Sequence, residues 1–423
     1  MNDTFVIKGN FYDCSENKKL QVRKNSYCIV KNGISQGVFQ NLPDLWADEK
    51  IIDYGDTLII PGMIDLHSHA PQYAFRGMGM ELELLEWLYK YTFPEEAKYK
   101  DLDYAKKAYT IYTDDLRKSP TTRAVIFGTI HREATEYLMD CLEESGLITY
   151  VGKVNMDRNA PDYYMEETEE SIRETEKFIE DSLKYKRTQA ILTPRFIPTC
   201  SDRLMRGLAE TQKKTGICMQ SHLSENRNEI QWVKQLCPNS RFYGDAYDQF
   251  GLFGGECKTI MAHCVSSDDE ETELILEKEV YVAHCPNSNM NLSSGIAPIR
   301  KYLTRGIKVG LGTDLAAGYN ISMFDEMVRA VQASKMRWRY VSGEEPLNIV
   351  DAFFMATRGG GEFFGQVGSF DRGYEFDALV IDDSASRSSM CLDDEARFCR
   401  SIYLHHECKL KAKYVRGKEI DLT

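Results

Sequence analysis

Long apolar runs are missing from this chain. No stretch of its 423 residues approaches the ~18 consecutive apolar residues a membrane span needs. The segment MNDTFVIKGNFYDC lacks a basic start followed by an apolar core of signal-peptide length, so a cytoplasmic location with no membrane partner is expected. The twelve cysteines include no Cys-x-x-Cys pair; scattered through a chain this long, they read as reduced thiols, not a disulfide framework. Excess positive charge is absent too. Lys and Arg number 52 against 65 Asp and Glu, a net charge of −13 with both signs intermingled. That argues against a nucleic-acid partner, which would call for a basic face. It leaves a small substrate open, because one local arginine can outweigh the global sign. Short-period repeats and low-complexity tracts are lacking, and the GGG at 359–361 is too short and misplaced for a phosphate loop.

What is present is an alternation. An apolar fraction of 43% supports a sizeable core, and the length fits one large α/β barrel or two to three ordinary domains. The first sixty residues are β-rich, with turn signals such as Lys31-Asn32-Gly33. The last fifty are similar, with DALVID, RSIYL and AKYVRG as short strand candidates. Between them lie strand candidates at 62–69, 122–130, 147–154, 189–196, 217–222, 258–263, 280–285 and 307–314. Helical stretches separate most of them; those at 132–146 and 202–216 each end on Gly, a helix-stop signal, and 166–186 is another. Eight strands with helical crossovers predict an α/β fold, a (β/α)8 TIM-like barrel. The two β-rich ends predict a small β-sandwich domain built from both termini, 1–60 with 370–423, around a catalytic barrel at 61–369. Segment 70–121 is much longer than an ordinary crossover, and long insertions after a barrel strand often cover the active site.

Barrels of this type carry their chemistry at the C-terminal strand ends. Five of the eight histidines fall there: His67 and His69 on the first strand, His222 on the fifth, His263 on the sixth and His284 on the seventh. Arg195 ends the fourth strand, and Asp314 ends the eighth in GLGTD. Period-2 geometry puts His67 and His69 on one strand face. Imidazole and carboxylate suit a borderline cation such as Zn²⁺, and His222 and Asp314 can complete the shell with a position left for water. A metal lowers the pKa of such a water to ~7. Glu225, three residues past His222, sits where a proton shuttle would.

Each residue also has a plainer reading. His-x-His alone is a weak signal, and the strand-end set is what strengthens it. Asp314 could be a helix N-cap, and Arg195 could merely bridge to an acidic neighbour. A role off the metal suits His284 and His131 better. His405 and His406 read as a solvated strand. LLEWLYKYTF at 84–93 reads as helix core, and Glu83, Glu86, Glu95 and Glu96 as solvated.

The stretches PGMIDLHSHAPQ, HLSE, HCPNSN and GLGTD, with the histidine of MAHC, resemble the amidohydrolase superfamily in its mononuclear deaminase branch. HAPQY, LLEWLYKYTFPEEAKY, TPRFIPTCS, QSHLSENRNEI and GLGTDLAAGYNISMFD are similar to its guanine-deaminating members, over about 60–365. The resemblance implies one zinc per chain, with iron(II) as the alternative, held by His67, His69, His222 and Asp314. It implies catalytic roles for Glu225 as proton shuttle, His263 as the residue that positions water, and Asp314 as acceptor of a water proton. Gln72, Arg195 and Phe196 would bind guanine, and Trp87 would line the pocket. The expected reaction is hydrolysis of guanine to xanthine and ammonia in a homodimeric enzyme, with hydroxide on the zinc attacking C2. A different zinc deaminase class pairs His-x-Glu with Pro-Cys-x-x-Cys, and this chain lacks the second half. Two other readings stand beside this one: a barrel deaminase acting on cytosine, a triazine or another aminopurine, and a non-catalytic barrel. The complete set of Glu225, Asp314 and four histidine positions speaks against the latter.

Overall fold

The computed structural model describes residues 4–423. Its centre is a ring of eight short parallel strands. The first four, Met63–His69, Thr121–Phe127, Ile148–Gly152 and Thr188–Ala190, form one sheet. The last four, Met219–Leu223, Thr259–His263, Tyr281–His284 and Val309–Leu311, form another. A single parallel bridge, Leu192 to Met219, joins the two sheets on one side. On the other side the Asp314 N–H donates to the His67 carbonyl (2.8 Å) and the His69 N–H to the Leu315 carbonyl (3.1 Å). The first strand is buried at every position, as expected where helices cover a parallel sheet.

The eight expected ring strands all form, most of them shortened at the ends. The fourth is interrupted: Thr188–Ala190 is followed by a separate two-residue strand, Thr193–Pro194, which pairs with Val154–Asn155. Helices Arg132–Ser145 and Asp202–Thr215 stop at Gly146 (φ 81°) and Gly216 (φ 69°), left-handed caps that glycine adopts without steric cost. Thr168–Ser182 is the third expected helix.

Both termini feed one seven-stranded sheet that includes Thr4–Cys14, Leu20–Lys31, Ile34–Phe39, Ile51–Pro61, Ala378–Asp382 and Lys409–Val415. The sheet curls over, so that Ile34 bridges to Glu375, and Phe11, Val30, Phe370, Phe376 and Tyr414 pack in one cluster. One strand expectation fails. RSIYL belongs to helix Asp394–Tyr403, capped by Asp393 and burying Phe398, Ser401 and Ile402 at helical spacing. His405 and His406 follow in a single 3-10 turn, His405–Glu407, instead of a strand. Among the described residues no helix is long and apolar enough to cross a membrane.

Arg123 joins the two parts. It lies on the second ring strand with its side chain 1% exposed, and it donates to both Asp377 carboxylate oxygens (2.6 and 3.1 Å) and to Glu375 (2.6 Å). Removing one partner of a buried pair leaves the other charge uncompensated. Arg123→Met is therefore expected to lower unfolding free energy by about 3–5 kcal/mol in denaturant titration. An unchanged midpoint would show that this pair does not hold the sheet to the barrel.

Candidate active site

The site is assembled from strand ends. Asp65, His67 and His69 share one face of the first strand by the two-residue period. The Asp65 carboxylate accepts from the His67 N–H (3.1 Å), the Thr313 N–H (3.0 Å) and the Thr313 hydroxyl (2.5 Å). It thereby anchors the segment after the eighth strand, where Asp314 stands at φ +46°. No helix begins there; the next helix, Met323–Arg337, has Ser322 at its N-cap position. Asp314 is thus free of the capping duty that would otherwise explain it, and its side chain turns into the site.

There the Nε2 atoms of His67 and His69 lie 3.2 Å apart, and His222 Nε2 lies 3.2 Å from His69 Nε2. Asp314 Oδ1 is 3.2 Å from His67 Nε2 and 3.3 Å from His69 Nε2. Four ligands about 2.0 Å from a tetrahedral zinc would be separated by about 3.3 Å. The residues therefore fit a metal ion. The tautomer fits as well: His222 Nδ1 faces the Arg195 carbonyl at 2.7 Å, so it carries the hydrogen and leaves the Nε2 lone pair free. His67, His222 and His263 form a second grouping with donor atoms mutually within 4.8 Å. Burial pushes the His67 and His222 imidazoles below their ordinary values and His69 to about 4, which favours the neutral, ligating form. Burial acts against the Asp314 carboxylate, but His67, His69 and His263 hold it well below the usual range.

His263, at φ +75°, directs Nε2 to 3.5 Å from Glu225 Oε2 and 3.9 Å from Asp314 Oδ2, and its Nδ1 meets Asn289 Oδ1 at 2.9 Å. Glu225 accepts from the Ser294 hydroxyl (3.1 Å). Burial, followed by the Asp314 charge, pushes its carboxyl up to about 8.

A cavity of about 390 Å³ opens beside these groups, lined by His69, Gln72, Leu84, Trp87, Leu88, Arg195, Phe196, His222, Glu225, Glu229, His263, Leu292, Asp314 and Ala317. The insertion after the first strand roofs it through Leu84, Trp87 and Leu88, and the Trp87 indole N–H donates to the Met78 carbonyl (3.1 Å). Arg195 does bridge to an acid, Glu96, yet it also faces the cavity. His284 and His131 stay outside: His284 ends its strand buried, and His131 precedes helix Arg132–Ser145 with its ring 5.9 Å from Tyr164.

Sequence reasoning missed three acids. Asp65 was visible only as the third member of the period-2 face in IDLHSH. Glu229 closes a capping box with Asn226, a signal present in NRNE, and it accepts from the Glu225 N–H (3.1 Å) and the Tyr243 hydroxyl (2.7 Å). Glu96, read as solvated, is fully buried. It accepts from Arg195 Nη1 (2.6 Å) and Nη2 (3.2 Å), Gln72 Nε2 (2.8 Å) and the Tyr164 hydroxyl (2.7 Å).

The chain resembles known proteins over most of its length. Residues 58–415 match the amidohydrolase family. A guanine deaminase of Dictyostelium discoideum is 38% identical, the alignment covering 98% of each chain. One of Mus musculus is 41% identical over 85% of this chain and 82% of its own. The crystal structure of a guanine deaminase from C. acetobutylicum with guanine bound in its active site superposes with a TM-score of 0.96, at 46% identity over 99% of this chain and 100% of that one. The chain belongs to the amidohydrolase family.

Replacing His67 by Ala takes one corner from the four-donor cage. Elemental analysis by mass spectrometry is expected to find about one transition metal per wild-type chain and a small fraction of that in the variant. Two tightly held ions per chain would contradict the single cage.

Proposed function

We infer that this chain is a guanine deaminase, hydrolysing guanine to xanthine and ammonia. The observation that carries the reading is that His69, His222 and Asp314 of the cage, the buried acid Glu225 and the polar pair Arg195 and Gln72 all line one cavity. The high-coverage likeness to guanine deaminases supports it. We assign His67, His69, His222 and Asp314 as ligands of one zinc ion, the choice of metal resting on three imidazoles and one carboxylate; iron(II) fits the same donors. Bound there, the ion supplies a water whose pKa is lowered to ~7. A cytoplasmic homodimer, and a catalytic barrel at 61–369 beside a domain of 1–60 with 370–423, belong to the same proposal and rest on the resemblance and the sequence pattern.

The chemistry adds water across the bond between C2 and its amine: a C2–O bond forms and the C2–N bond breaks. The ring is electron-rich, so attack requires simultaneous protonation. Glu225, buried and able to hold a proton near neutrality, delivers it to a ring nitrogen beside C2 as aromaticity is lost. Asp314 accepts a proton from the attacking water, and His263 orients that water between Asp314 and Glu225. The proton taken up by Asp314 then passes through Glu225 to the departing amine, and the C2 hydroxyl proton, released as the carbonyl forms, restores Glu225. Phe196 offers a flat face to the purine. Arg195 donates and never accepts, so it selects a base edge that carries acceptors, as guanine does at O6 and N7. Gln72 both donates and accepts, which suits a mixed edge.

Glu225→Gln keeps the shape without the transferable proton. Its kcat is expected to fall by ~10²–10⁴-fold with metal content retained; near-wild-type turnover would move the shuttle to another residue. Arg195→Leu is expected to cut kcat/KM for guanine by at least ~10²-fold while metal content holds. Run beside adenine, cytosine and a triazine, guanine should be the best substrate by ultraviolet assay. Faster turnover of any of the other three by wild-type enzyme would overturn the guanine assignment.

A further inference from the structure

Glu96 is not among the residues lining the cavity, yet three of its four hydrogen bonds come from Arg195 and Gln72, which are. Its Oε2 accepts from Arg195 Nη1 and the Tyr164 hydroxyl; its Oε1 accepts from Arg195 Nη2 and Gln72 Nε2. Four hydrogen bonds fill the roughly four acceptor positions of a carboxylate. Both Glu96 and Tyr164 are fully buried. The same short helix, Phe93–Glu96, also places the Phe93 ring 5.3 Å from the Arg195 guanidinium. The insertion thus grips the arginine on one edge and beside one face.

We propose that Glu96 is a positioning residue that fixes the Arg195 guanidinium and the direction of the Gln72 amide, and so determines which base edge the pocket accepts. The proposal rests on Arg195 and Gln72 being the pair that recognises the base. The amide is fixed from both ends. Its nitrogen must face the carboxylate, which only accepts, and its oxygen accepts from the Ala316 N–H at 3.3 Å. A flipped amide would set oxygen against oxygen and N–H against N–H. The guanidinium has a further need for this partner. It is buried near a cage built for a cation, and without an anion beside it two positive charges would face each other in a site of low dielectric. Burial pushes the Glu96 carboxyl up, but the Arg195 guanidinium more than offsets this and keeps it ionised.

The test measures guanine kinetics and metal content for Glu96→Gln, Glu96→Asp, Arg195→Leu and the double variant Glu96→Gln/Arg195→Leu. Glu96→Gln is expected to raise KM by at least ~30-fold with kcat within ~5-fold of wild type and one metal per chain retained, because a recognition contact is lost and the reacting groups are not. Glu96→Asp, which keeps the charge on a shorter stem, should fall between wild type and Glu96→Gln. If Glu96 acts through Arg195 as well as Gln72, the double variant should lose clearly less than the product of the two single losses. A wild-type KM in Glu96→Gln while Arg195→Leu is impaired would overturn the positioning role and leave the recognition reading standing. Losses that multiply in the double variant would also overturn it. A wild-type KM in Arg195→Leu would bring down the recognition reading itself. Should Glu96→Gln not fold, Glu96→Asp carries the test: a raised KM with full metal supports the role, and a wild-type KM overturns it.

Discussion

Four donor atoms linked by contacts of 3.2–3.3 Å gather in one buried site, and this is the constraint on which this molecule turns. Three imidazole nitrogens and a carboxylate oxygen packed that tightly offer each other little. At least one imidazole, His222, must present a bare nitrogen, because its hydrogen is committed to the Arg195 carbonyl. Taking such groups out of water is costly unless something compensates them. A divalent cation would do so, and the four contacts at 3.2–3.3 Å match edges of a tetrahedron drawn around one. The barrel makes this arrangement attainable. Its parallel strands deliver side chains from the first, fifth and eighth positions to one end, and the Asp65–Thr313 bonds hold the first and last strands in register where no continuous ladder joins them.

The substrate side depends on the same frame. Arg195 belongs to both halves: its backbone carbonyl orients His222, and its side chain lines the cavity. A shift of the fourth strand end would therefore disturb the cage and the recognition pair together. The insertion after the first strand is a structural partner as well as a roof, since it supplies Trp87 above the cavity and Glu96 behind the arginine. Glu229 serves Glu225 in a similar way: its carboxylate accepts from the Glu225 N–H while closing a capping box with Asn226. Arg195 and Glu225 each have an acid standing behind them, Glu96 and Glu229.

Much of this was legible in the sequence because its signals are local. A strand followed by a chemistry-bearing residue recurs at His69, His222, His263 and Asp314, and the ring strands fall close to their expected positions. Glycine marked two helix ends correctly. What escaped notice depends on distant contacts. Glu96 looks like any acid in a charged stretch, and only the folded chain brings Arg195, 99 residues away in sequence, against it. RSIYL is a short apolar run, which periodicity cannot divide between strand and helix; Asp393 and the packing of Phe398 and Ile402 decide for helix. His405 and His406 then fall in the turn after that helix rather than in a strand. The fourth strand breaks around a two-residue pairing that ends on Pro194, a residue without an N–H to donate.

The most direct test of the central claim is reconstitution. The chain is stripped of metal with a chelator, titrated with zinc, and assayed for guanine consumed, xanthine formed and ammonia released at each increment. The account predicts no turnover without metal, a linear rise that stops at one ion per chain, and equal amounts of xanthine and ammonia throughout. Turnover by the metal-free chain, or a rise that continues to two ions per chain, would contradict it.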